Sequence, residues 1–305
     1  MDIQVENNNL ILDKPCVILP HYGEFGWFIF RYMKIVYSIK SPHKIVCCNK
    51  GEEILFPNSD NFFYEWENPL PYSERNGFRD YNNDSKYILI EKLKKTFPDH
   101  EIVDLSSWKI IENVFCYIKQ VEHLHMFYHW QDIEFDIKVQ EKKLPVDIVL
   151  GARSRSKNIK RNWPHWDEFS GILRKNNITF AVVGEPNNTY KVPNANYYSW
   201  DFQNNIEMII YFLKKSLFFV GNDTGTAHIA NFLRKDIFVI NKQYKDVISK
   251  FFKPIENVYL YPILNKKKRK RIEKYNFLVD KIKRQKTEKR YKCLINKIIE
   301  KKEKT

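Results

Sequence analysis

The sequence predicts an α/β protein built from two Rossmann-like domains facing a central cleft, with a basic helical C-terminal tail. Three observations carry that expectation. Short apolar strands alternate with amphipathic helices along most of the chain. Near the middle a charged, proline-ended stretch, QDIEFDIKVQEKKLP at 131–145, interrupts the alternation, and a fresh apolar strand follows at once. Third, the positive charge sits at one end: residues 265–305 hold 18 Lys and Arg against 5 Asp and Glu, an excess of 13 out of the formal +14. The body is therefore nearly neutral. These features place the domains at 1–140 and 141–264, and the tail at 265–305.

In the first half, CVILP (16–20) reads as a buried strand, HYGEFG as a glycine-containing turn, Trp27 to Ile39 as an amphipathic helix and KIVCC (44–48) as the next strand. Strand, turn, helix, strand is the opening of a parallel α/β unit. Pro57 to Asp84, rich in Asn, Pro and Tyr, has no period and reads as loop. YILIEKLKKTF (87–97) is helical in pattern, and EIVDL (101–105) is the strand after it. In the second half VDIVLG (146–151), ITFAVVG, LFFVGN and DIFVI are strands, while WDEFSGILRKN, NNIEMIIYFLKKS and TAHIANFL are helices. Ligands of open α/β sheets bind beyond the carboxyl ends of the strands, so the turns to inspect are HYGEFG, GARSRS, GEPNN and GNDTGTAH.

Composition narrows the classes further. With 305 residues, 43% hydrophobic and 15% aromatic, the chain is not disordered. No apolar run approaches the roughly 20 residues of a spanning helix. Five cysteines, Cys16, Cys47, Cys48, Cys116 and Cys293, form an odd set lying mostly in apolar runs, which implies no disulfide framework. The acidic, polar N-terminus lacks the order of a signal peptide, and a cytoplasmic location is expected.

The most informative stretch runs from Ser216 to Leu233, SLFFVGNDTGTAHIANFL. A buried strand delivers Gly221 and Asn222, then Asp223, Thr224, Gly225 and Thr226, and a helix begins near Ala227. Unpaired N–H groups and the partial positive charge of a helix N-terminus suit a phosphate, and hydroxyls and glycine add donors and room. The plainer reading makes Asp223 or Thr224 an N-cap. Residue pattern alone leaves both open.

NDTGTAHIA resembles the donor-phosphate motif of the heptosyltransferase-like glycosyltransferases of family 9. GARSRSKNIKRNWPHWDEFSGIL (151–173) resembles that family's basic loop and Trp-Pro motif, and ITFAVVGEP its strand ending in Gly184 and Glu185. The resemblance covers about residues 146–240. It implies a GT-B-like architecture with an N-terminal acceptor domain, a C-terminal nucleotide-sugar domain, and sugar transfer that inverts the anomeric centre without a required metal or other cofactor. Under it Asp223, Thr224, Gly225, Thr226 and His228 line the donor diphosphate and sugar, Gly184 and Glu185 lie beside the nucleoside, and Arg153, Arg155 and Arg161 supply charge to the departing diphosphate. Lys157 and Lys160 lie in the same run. Where the family carries an aspartate after the second glycine of its first turn, this chain has Trp27. Glu24 is then the nearest carboxylate to serve as base, with His21 behind it; a turn salt bridge is the alternative for Glu24. Trp163 and Trp166 are expected in packing rather than as a nucleobase platform.

Other signals carry less. His123, His125 and His129 in VEHLHMFYHW complete no zinc spacing, Asp132, Glu134 and Asp136 alternate as a polar strand face, and no P-loop or dinucleotide fingerprint occurs. The tail has an apolar stripe, Ile272, Tyr275, Leu278 and Ile282, then Tyr291, Leu294, Ile295, Ile298 and Ile299. It can pack back across the domains, lie on an anionic membrane, or bind nucleic acid, the last disfavoured because the body has no basic stripe. The expected partners are thus a nucleotide-sugar donor and a saccharide or lipid-linked acceptor, with peripheral membrane contact through the tail. A nucleotide-sugar epimerase or hydrolase and a nucleic-acid-binding protein are the rival functions.

Overall fold

The computed structural model describes residues 4–6, 9–23, 25–66, 83–105, 135, 137, 144–156, 159–240, 258–261 and 275–287. The chain divides into two compact units, the first comprising Met1–Lys138 with Thr224–Phe232, the second Val139–Asp223 with Leu233–Thr305.

In the first unit β1 (Gln4–Glu6) pairs antiparallel with β2 (Asn9–Ile11). The apolar run at 16–20 yields β3 (Cys16–Ile18), fully buried as a central parallel strand requires. The expected helix starts at α1 (Phe25–Trp27), passes through a π-helical turn (Phe28–Tyr32) and ends as α2 (Met33–Ser38). The short β4 (Ile39–Lys40) pairs with β2. β5 (Lys44–Cys47), β6 (Asn61–Phe63), α3 (Asn83–Thr96) and β7 (Glu101–Val103) follow. The main sheet has order β6-β5-β3-β7 and is parallel throughout. Leu89 and Leu93 of α3 pack on Val17, Leu19, Ile45 and Cys47. Two expectations change: a strand lies inside the stretch read as loop, and α3 begins four residues early, where Asn83, Asp84 and Ser85 suit a helix start better than a loop.

Lys44 opens β5 yet is only 2% exposed. Its Nζ donates to the carbonyls of Val36 (3.1 Å) and Ile39 (2.9 Å), satisfying acceptors at the end of α2. Burial, with a contribution from Lys40, pushes its pKa down to about 7. The unfolded chain, with a lysine pKa of about 10.4, then binds a proton that the native state lacks between those values. Stability attributable to this group therefore rises with pH across that window. Relative to wild type, Lys44→Met should accordingly fare better at pH 6 than at pH 10, because only the wild type gains stability as pH rises across that window. Melting temperatures at pH 6 and pH 10 check this, and an equal shift at both would contradict it.

In the second unit β8 (Ile148–Gly151), α4 (Trp166–Lys175), β9 (Phe180–Val182), β10 (Tyr197–Tyr198), α5 (Asn205–Lys215), β11 (Phe218–Asn222), α6 (Gly225–Phe232, clustered with the first unit), β12 (Asp236–Ile240) and β13 (Val258–Tyr261) follow in order. All five strand pairings are parallel, in the order β10-β9-β8-β11-β12-β13. The chain thus winds outward from β8 to β10, then returns to β11 beside β8 and winds the other way. Asn204 caps α5, its side chain accepting from the Glu207 N–H at 3.1 Å.

Residues 275–287 form a helix, α7. Its Tyr275, Leu278, Val279 and Ile282 enter the core made by alternate residues of β8, β9, β11 and β12 with Trp163, Trp166, Phe169 and Leu173. Lys286 bonds Asp147 at 2.8 Å, and Lys281 lies 3.5 Å from Asp236. Trp163 and Trp166 are buried in edge-to-face contact at 4.7 Å, as packing residues. The apolar front of the tail therefore faces protein, not lipid. His123, His125, His129, Asp132, Glu134, Asp136, Cys116, Cys293, Ile272 and the stripe beyond Thr287 lie outside the described residues. Among the described residues no helix is long and apolar enough to cross a membrane.

Candidate functional site

In the second unit's sheet the winding direction reverses between β8 and β11. Gly151, the last residue of β8, lies opposite Gly221, one residue before the end of β11. A reversal of this kind leaves a crevice at the carboxyl ends of the two strands, because the connections on either side depart in opposite directions. The loops leaving these two ends are GARSRS and GNDTGTAH.

Two asparagines organise them. Asn222, the last residue of β11, accepts the Arg153 backbone N–H on Oδ1 (3.1 Å) and donates from Nδ2 to the carbonyls of Arg161 (2.9 Å) and Ile240 (3.2 Å). Asn162 accepts on Oδ1 from the Arg153 guanidinium and the Arg155 N–H (3.2 Å), and donates to the Arg155 carbonyl (2.9 Å). Neither was picked out from sequence. Asn222 was legible as the polar residue closing an apolar strand, and Asn162 as the residue before the Trp-Pro pair.

Arg161 Nη2 donates to the Asp223 carbonyl (2.8 Å) and to its Oδ2 (3.1 Å). Asp223 keeps 21% of its side chain exposed and Arg161 37%. Burial pushes the Asp223 carboxyl above the usual carboxylate range, and Arg161 and then Arg153 pull it back only in part. Arg153 is 5% exposed, so its guanidinium is fixed rather than trailing in solvent. Three of the expected residues, Arg153, Arg161 and Asp223, thus share one network. Arg155 joins it through its backbone. The side chain of Lys160 and all of Lys157 lie outside the described residues.

The end of β9 is stitched to the same loop. Ser154 N–H donates to the Asn188 carbonyl, and Tyr190 N–H to that of Ala152, both at 2.7 Å. Gly184 has φ +143°, and a Cβ there would meet Thr189 Oγ1 at 2.3 Å, so this corner requires glycine. Glu185 accepts from Asn188 Nδ2 within its own turn.

In the first unit α6 carries Gly225, Thr226 and His228, with Thr224 immediately before it. The Thr224 and Thr226 hydroxyls are 2.9 Å apart, and the Thr224 carbonyl accepts from the Ala227 N–H at 3.0 Å. Thr226 and His228 are buried. At Gly225 one side of the backbone is closely covered: a Cβ there would meet Phe25 Cδ1 at 2.3 Å. The space is filled by an aromatic ring from the HYGEFG turn. Gly225→Ala should therefore cost about 1–3 kcal/mol through overpacking, and the loss should largely vanish in a Phe25→Ala background. Denaturant unfolding of the four-member cycle measures the coupling, and additive losses would refute the contact. His21 is buried with its ring 5.5 Å from Phe28, and Glu24 lies outside the described residues. Among the described residues no group of three or more His, Cys, Asp or Glu could hold a metal ion.

No family model matches the chain, and no curated protein matches it. Several solved structures are similar to it. One is a glycosyl transferase of family 9 from Veillonella parvula, at 11% identity over 84% of this chain and 87% of that one, with a TM-score of 0.49. Another is the E. coli heptosyltransferase WaaC with ADP-2-deoxy-2-fluoro heptose, at 12% identity over 80% and 92%, TM-score 0.45. A third is the iron-containing dodecameric glycosyltransferase TibC from enterotoxigenic E. coli, at 11% identity over 76% of this chain and TM-score 0.40. The chain spans 59% of the length of TibC.

Proposed function

We propose that this chain is a GT-B-type glycosyltransferase that moves a sugar from a nucleotide-sugar donor to a saccharide or lipid-linked acceptor, inverting the anomeric centre and needing no metal. The observation that carries the reading is the convergence of Arg153, Arg161 and Asp223 at the winding reversal between β8 and β11, directly before a helix N-terminus bearing two threonines. A nucleoside diphosphate needs fixed positive charge and N–H donors, and the β8 and β11 loops supply the first while the segment that follows β11 in sequence supplies the second.

In the proposed reaction an acceptor hydroxyl attacks the anomeric carbon, the bond from that carbon to the diphosphate oxygen breaks, and Glu24 takes the hydroxyl proton. Arg153 and Arg161 supply the positive charge that steadies the leaving diphosphate. Arg155, Gly184, Glu185 and His228 complete the donor side, Glu185 accepting from ribose hydroxyls once it leaves Asn188. Peripheral contact with an anionic membrane, if the acceptor is a lipid, rests on the basic residues of the tail, since Tyr275, Leu278 and Ile282 are committed to the core.

A thermal-shift panel of nucleotide sugars and free nucleoside diphosphates, with and without chelator, tests the reading. One base series should raise the melting temperature in proportion to log concentration, chelator making no difference. No response across the panel would overturn it. Release of an epimer or free sugar at full rate without acceptor would assign the scaffold to epimerisation or hydrolysis instead.

A further inference from the structure

Phe25 belongs to neither the donor loops nor the carboxylate candidates, yet it is the side chain that occupies the space over Gly225 at the start of α6. Its neighbour Gly26 approaches the same point, its added Cβ position lying 3.8 Å from the Gly225 nitrogen. Behind Phe25 runs a row of rings. Phe25 leans on Phe28 at 5.9 Å, Phe28 stacks on Tyr32 at 5.6 Å, and the Tyr32 hydroxyl donates to the carbonyl of Leu19 beyond β3. The row crosses the π-helical turn, whose extra residue per turn alters which side chains share a face, and such turns recur at functional sites. The result is a continuous packed path from the end of β3 to the first residue of α6.

We infer that Phe25 is a positioning residue for sugar transfer: its ring seats the HYGEFG turn on the α6 N-terminus, holding both in place and keeping water from the anomeric carbon. The inference rests on the proposed transferase reading. Without the ring the turn loses its seat, and a displacement of about 1 Å in a reacting group can cost on the order of 100-fold in rate. Water then reaches the anomeric carbon in place of the acceptor hydroxyl, the bond to the diphosphate breaks as before, and free sugar and nucleoside diphosphate are released.

The test compares wild type with Phe25→Ala and Phe25→Leu, using the nucleotide sugar that gives the largest thermal shift. Nucleoside diphosphate affinity in Phe25→Ala should stay within about twofold, because Arg153, Arg161 and Asp223 are untouched. Its kcat for transfer should fall at least about tenfold with little change in donor KM, and the ratio of hydrolysis to transfer should rise. Phe25→Leu, which refills part of the space, should recover most of the transfer. An unchanged partition between hydrolysis and transfer in Phe25→Ala overturns the inference while leaving the donor site standing. So does a parallel loss of diphosphate affinity and rate, which is the mark of general disruption. Absence of any nucleotide response in the wild type overturns the transferase reading itself, and this inference with it.

Discussion

Ending the chain before Tyr275 should leave the second unit without a cooperative fold. Tyr275, Leu278, Val279 and Ile282 are each no more than 3% exposed, and all four lie in the core under β8, β9, β11 and β12. Burying a large apolar side chain is worth about 1.5–3 kcal/mol, so the four together contribute about 6–12 kcal/mol. Total domain stability is about 5–15 kcal/mol, and the deletion spends most or all of it. Asp147 and Asp236 would lose Lys286 and Lys281 as well. The expected result is insoluble or non-cooperatively melting protein. A chain ending after Thr287 keeps α7 and should melt as the full chain does. Leu278→Ala should fall between, at about 2–5 kcal/mol. A chain cut before Tyr275 that melts cooperatively within a few degrees of the full length would contradict the assignment of α7 to the core. Any study of the tail's charge therefore has to cut after Thr287.

Asp223→Asn should separate stability from activity. The native carboxyl is held above the ordinary carboxylate range by burial, and that net direction already includes the pull of Arg161 and Arg153. The native state therefore keeps its proton more tightly than the unfolded chain does. Stability from this group is full below the unfolded pKa of about 3.9 and declines as pH rises through the native value. An amide removes the charge and its desolvation cost, so Asp223→Asn should melt higher than wild type at pH 7 and show no gain at pH 3.5. Arg161, deprived of its charged partner while keeping the Asp223 carbonyl, should present its guanidinium less firmly. A charge-assisted hydrogen bond is worth about 1.5–3 kcal/mol, so donor turnover should fall about 10- to 100-fold. Melting curves at the two pH values and steady-state donor kinetics decide it: wild-type turnover, or a lower melting temperature at pH 7, would sink the argument.

Much of the second unit was legible because its strands are apolar on both faces and its helices carry a clear stripe. LFFVGN, DIFVI and VDIVLG each produced a strand, and NNIEMIIYFLKKS a helix, within two residues of expectation. Local pattern fails where pairing is set at a distance. NFF at 61–63 and VYLY at 258–261 are three- and four-residue edge strands, too short to show a period. Of the candidate site, Arg153, Arg161 and Asp223 emerged because charge beside a strand end is visible in one dimension. Asn162, Asn222 and Phe25 did not, since their importance lies in what they touch 7 to 200 residues away. A hydrogen bond from Asn222 to the Arg161 carbonyl leaves no trace in the neighbours of either residue.

Cys16, Cys47 and Cys48 are free thiols, each at most 2% exposed, and burial raises the pKa of all three. Attack on an electrophile requires the thiolate, so in the native protein these sulfurs are doubly silenced, by access and by protonation. They sit on β3 and at the end of β5, the middle of the first unit's sheet. A thiol reagent reaching them is therefore timing the opening of that sheet. The protein carries its own stopwatch for the first unit's sheet, one that can be read from the peptides the reagent labels without introducing a new cysteine.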